Sequence, residues 1–183
     1  MKRPTFLEGV IVAVVLAVSC GALIVGLNLV FSSATALSIS ISTLAGAYIL
    51  FLLSRSAERA GRVAVFALWL LSAVAAALWI HSPALLLIVH AAMIWLVRTL
   101  YFHSSFLGSV MDAALSALAL GALIWAGQQT HSAATAAWCF FLVQALFVAI
   151  PPTFAKADRA DDGEGFAHAY RAAQDAARRI AVR

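Results

Sequence analysis

Six stretches of this chain stay apolar for about as long as a helix needs to cross a hydrocarbon core, roughly 20 residues, and they occupy most of its length. They cover 6–31, 36–53, 63–80, 83–102, 106–126 and 133–150. Lipid offers no partner to a backbone amide, so runs this long must satisfy their hydrogen bonds internally, as helices. A β-barrel would show short segments of alternating polarity, and the sequence has none. The expected fold class is therefore all-α, a polytopic bundle of six transmembrane helices followed by one cytoplasmic amphipathic helix. Composition points the same way. Hydrophobic residues fill 64% of the 183 positions and charged residues 11%, where a soluble domain carries about 45–50% and about 25%.

The connectors 32–35, 54–62, 81–82, 103–105 and 127–132 are short, which makes sequential helices antiparallel neighbours. Pro83 suits a first helical turn, where its missing N–H costs little. Charge then fixes an orientation. With alternating helices, Lys2, Arg3, Arg55, Arg59, Arg62, Lys156, Arg159 and the tail arginines share one side, and the connectors of the other side carry no charged residue. Basic residues stay cytoplasmic, so both termini are expected inside, in a bacterial inner membrane. The same rule explains the net charge of +4, and no nucleic-acid partner is expected. Met1, Lys2 and Arg3 followed by an apolar run resemble a signal peptide. The run, however, continues past Cys20 to Phe31, and Ala17 stands where a lipoprotein site carries Leu, so the segment is read as a span. Cys20 and Cys139 both lie inside apolar runs and form no disulfide framework or metal spacing.

Beyond a transmembrane domain at 1–152, residues 153–165 read as a charged linker and 166–183 as a tail helix. Phe166, Tyr170, Ala173, Ala177 and Ile180 fall on one helical face. Such a stripe fits the groove of a protein partner. Its small, Ala-rich face is weak for insertion into lipid, the competing reading.

Ionisable and amide groups inside membrane helices are costly and mark functional candidates. Arg98 and Asp112 sit at similar distances from the turn near Ser104, so an antiparallel hairpin brings them to one depth. They read as an ion pair stapling the hairpin, or as part of a relay. His90 shares a face with Ile94 and Arg98 by the i, i+4 rule. Gln144, Ser38 and Ser42 are further polar candidates, either as interhelical hydrogen-bond glue or as the lining of a solute path. Gly9, Ala13, Ala17 and Gly21 form a small-residue stripe four apart, suited to close helix packing within the chain or between copies. Trp79, Trp125 and Trp138 suit an aromatic belt. His81 and His131 lie in connectors on one side, without a Cys or carboxylate to complete a metal site.

No P-loop, dinucleotide fingerprint, nucleophile elbow, HExxH or intramembrane carboxylate dyad is present in the sequence. No enzyme activity, metal or cofactor is therefore expected. The leading expectation is a membrane subunit or scaffold that docks a protein partner, or a second copy, through its tail. The alternative is a small transporter or channel component using Arg98, Asp112 and His90.

Overall fold

A computed structural model describes residues 5–56, 61–102, 106–149 and Tyr170. Five helices are long and apolar enough to cross a membrane: α1 (Phe6–Leu27), α2 (Ser33–Arg55), α3 (Arg62–Trp79), α4 (Pro83–Phe102) and α5 (Phe106–Thr130). A shorter apolar helix, α6 (Ala133–Ala145), follows and tightens into a 3-10 turn at Leu146–Ala149. Large apolar side chains cover the outside of the bundle, among them Val25, Leu71, Leu78, Leu118 and Ile124. Water would not tolerate so continuous an apolar surface. The chain is an α-helical, multi-span membrane protein.

Local chemistry sets the helix ends. Thr5 opens α1 with a reciprocal capping box: its hydroxyl accepts from the Glu8 amide at 3.3 Å, and the Glu8 carboxylate accepts from the Thr5 amide at 3.0 Å. The first apolar run extends to Phe31, yet α1 stops at Leu27. The reason lies just beyond. Ser32 caps α2 from an extended conformation, with ψ of 153°, so the chain must leave helical geometry before it. Conversely, α5 passes the end of its apolar run and reaches Thr130. The Thr130 hydroxyl donates to the Ala126 carbonyl at 2.7 Å, and His131 then breaks the helix with φ of 51°. Gly61 starts α3 at φ of 82°, a left-handed position that a side chain would strain.

Packing makes a ring rather than a row. α1 packs on α6, α6 on α5, α5 on α4, α4 on α2, and α2 returns to α1. α3 stands outside this five-membered ring, against α2 and α4. It buries only Trp69, Ala73 and Ala76, one narrow stripe at helical spacing. The tightest contacts use glycine. A Cβ at Gly9 would meet that of Ala145 at 2.7 Å, and a Cβ at Gly46 would overlap the Trp69 ring. The small-residue stripe of α1 thus lies inside the protein: Gly9 faces Ala145 and Gly21 faces Ala134, while Ala13 and Ala17 are buried.

Tyr170 is exposed. The 153–165 linker and the other expected docking residues, Phe166, Ala173, Ala177 and Ile180, lie outside the described residues.

Candidate functional site

The interior of the ring divides into two levels. On the level nearer Arg55, Arg62 and Phe102 sits a sealed polar cluster. α4 supplies Arg98, about 6 Å along the axis from its end at Phe102, and α5 supplies Asp112, about 9 Å from its start. The Arg98 and Asp112 side chains are both fully buried and pair at 3.0 Å. One turn further along α5, on the same face, Ser116 accepts from Arg98 Nη2 at 2.8 Å. Nη1 donates to the Gln144 carbonyl at 3.3 Å where α6 ends. The guanidinium also lies 5.3 Å from the centre of the Phe147 ring, a favourable cation–π placement. From α2, the Tyr48 hydroxyl comes within hydrogen-bonding reach of Arg98. Arg98 therefore ties together α2, α4, α5 and α6. A guanidinium with planar, always-charged donors suits this better than a lysine would.

The buried Gln144 side chain adds amide groups to the cluster, and neither its oxygen nor its nitrogen has a hydrogen-bond partner among the described residues. Tyr48 and Phe141 pack at 5.3 Å between centroids, and Phe141 packs edge-on against Phe140. Phe140 and Phe141 also line a cavity next to the cluster.

Beyond these rings the helices bound this half-open cavity of about 500 Å³. Its wall is almost wholly apolar, with Leu44 and Ala45 from α2, Ala91 and Ile94 from α4, and Ala137 and Phe140 from α6. The polar wall residues are few: Cys20, Ser40, Ser82 and His90. Ser40 donates to the Ala36 carbonyl at 2.8 Å, and Cys20 contacts the Ala133 carbonyl at 3.7 Å. His90 Nδ1 lies 2.8 Å from the Leu86 carbonyl. A carbonyl only accepts, so Nδ1 carries the proton and Nε2 is the acceptor in the neutral ring. Nε2 is buried and has no partner among the described residues. Trp69 of α3 meets the His90 ring edge-on at 6.3 Å, closing the seam between α2 and α4 from outside.

The sequence candidates thus fall into three places. Arg98, Asp112 and Gln144 converge in the polar cluster. His90 lies two turns away along α4, about 12 Å, on the cavity wall. Ser38 and Ser42 belong to neither; with Thr35, Thr43 and His81 they line an outward groove between α2 and α3. Sequence reasoning missed Ser116, Tyr48 and Phe147. Ser116 was within reach, since it stands four residues after Asp112 on one helical face. Tyr48 and Phe147 come from helices that pack only in three dimensions. Among the described residues, no group of three or more His, Cys, Asp or Glu is placed to hold a metal ion.

Compared with protein families, with curated proteins and with solved structures, the chain finds no match.

Proposed function

We propose that this membrane protein is a non-enzymatic binder of a small apolar ligand, which it holds inside the five-helix ring. The observation that supports this is the cavity of about 500 Å³. Ligand pockets typically span about 300–1,000 Å³, with mostly apolar walls and few polar groups. The polar cluster serves the ring as an internal brace. Arg98 and Asp112 are fully buried and are not among the residues that line the cavity, whose wall includes Phe140 and Phe141. Among the described residues this geometry favours holding a ligand over conducting a hydrated ion.

In this reading α6 and its 3-10 turn complete a sixth crossing. At 1.5 Å and 2 Å per residue they reach about 27 Å, close to the roughly 30 Å core. Both termini then lie on the basic, cytoplasmic side. Labelling of single cysteines at Gln128 and Ser54 tests the orientation: Gln128→Cys is expected to react from outside and Ser54→Cys from inside.

The binding test uses naphthalene as probe. Protein-loaded nanodiscs should retain more naphthalene than empty ones, and Ala137→Phe, which fills the cavity, should remove the excess. Equal retention by loaded and empty nanodiscs would refute the reading.

Docking of a protein partner by the tail is a second reading, supported by the stripe at Phe166, Tyr170, Ala173, Ala177 and Ile180 and by the exposure of Tyr170. Purification from native membranes with and without residues after 161 tests it. Recovery of the same proteins by both forms would count against it.

A further inference from the structure

We infer that the cavity receives one acyl chain of a membrane lipid, drawn from the leaflet that surrounds the charge-free end of the bundle; this rests on the ligand-holding reading above. Three observations converge. The first is depth. The cavity extends along α4 from Pro83 to Ile94, about 16 Å at helical rise. One leaflet contributes half of a roughly 30 Å hydrocarbon core, or about 15 Å. The cavity therefore matches the hydrocarbon depth of one leaflet.

The second is the direction in which it opens. The cavity is half open, and Ser82, Pro83, Ala84 and Ala133 line its end at the starts of α4 and α6. Leu123 and Ile124 of α5 line it as well, and Ile124 is 54% exposed on the lipid-facing surface. Side-chain bonds that join α4 to α5 lie on the other level: Arg98 to Asp112, Arg98 to Ser116, and Trp95 Nε1 to the Ser109 carbonyl at 3.0 Å. The hairpin is clamped toward its turn, and the α5 wall of the cavity carries the exposed Ile124.

The third is chemistry. A lipid chain brings no hydrogen-bonding group, and most of the wall offers none. Ser40 and Cys20 are occupied by backbone carbonyls, and His90 holds one with Nδ1. Apart from the buried acceptor His90 Nε2, the wall gives a polar solute little to replace its hydration, whereas a chain already in lipid loses none.

The experiment uses the full chain in nanodiscs of a phosphatidylcholine with a photoreactive diazirine midway along one acyl chain. After illumination, adducts are mapped by peptide mass spectrometry. Adducts are expected on the interior residues Ile94, Phe140 and Phe141 as well as on the outward Leu71 and Leu118. In Ala137→Phe the interior adducts should fall at least fivefold while the outward ones persist, which also shows that the variant is folded and inserted. Adducts confined to outward residues in the wild-type chain would overturn the inference. If naphthalene is still retained in that case, the cavity binds another apolar ligand and only the lipid assignment fails. If naphthalene is not retained either, the ligand-holding reading fails with it.

Discussion

Replacing Asp112 with Leu removes the carboxylate that pairs with a guanidinium of no solvent exposure. Arg98 keeps Ser116 at 2.8 Å, the Gln144 carbonyl at 3.3 Å and the Phe147 ring, but none of these cancels its charge. Breaking a buried pair in this way costs about 3–5 kcal/mol, because the survivor is buried and uncompensated. Arg98→Met should cost a similar amount for the same reason, with Asp112 stranded instead. A fold is stable by only about 5–15 kcal/mol, so each single variant should lose a large share of its folded population. The double variant Arg98→Met with Asp112→Leu leaves no charge behind and roughly conserves volume. It should lie within about 1 kcal/mol of the wild type, as apolar replacements of buried pairs do. Independent sites would instead add, to roughly 6–10 kcal/mol. Reversible unfolding in mixed micelles by titration with dodecyl sulfate gives all four free energies. If the double variant is as unstable as the sum of the singles, or if either single costs under about 1 kcal/mol, then Arg98 does not brace the ring through Asp112.

Three further outcomes follow from the packing. Gly46→Ala drives a methyl group into the Trp69 ring and should cost about 1–3 kcal/mol; the loss should largely vanish in combination with Trp69→Leu, read by the same unfolding assay. Gly26→Ala and Gly121→Ala meet nothing within 4 Å and should be neutral or stabilising by up to about 1 kcal/mol, whereas Gly9→Ala should destabilise the α1–α6 contact; equal effects at all three would contradict the described packing. Glu8→Gln breaks a half-exposed pair with Arg55 at 3.1 Å and should change stability by less than about 1 kcal/mol, while Thr5→Ala, which removes the cap of α1, should cost about 0.5–2 kcal/mol by the same measurement.

Hydrophobic runs made the spans legible because lipid imposes one rule on every backbone amide. The meeting of Arg98 and Asp112 was legible for a related reason. A short turn fixes the depth of both flanking residues, so counting outward from Ser104 suffices. The ring order was not legible. That α2 packs on α4 while α3 stays outside depends on which faces the helices present to one another, as where Gly46 meets Trp69. For the same reason Ser38 and Ser42 read as interhelical glue or as the lining of a solute path through the bundle, yet they line a separate groove between α2 and α3. The cavity left no trace in the sequence. It arises from small residues on separate helices, Ala45, Ala91 and Ala137, which happen to face one another across the ring. In an alanine-rich chain no pattern singles them out.

The most direct test of the central claim is to locate a heavy apolar probe in the folded protein. Crystals grown in lipid and soaked with 2-bromonaphthalene would show bromine by anomalous scattering. The predicted peak lies inside the ring, between Ala91, Ala137 and Phe140, on the cavity side of the Tyr48–Phe141 contact. Bromine found only on the outer surface, as in the groove between α2 and α3, would contradict a ring built to hold a ligand.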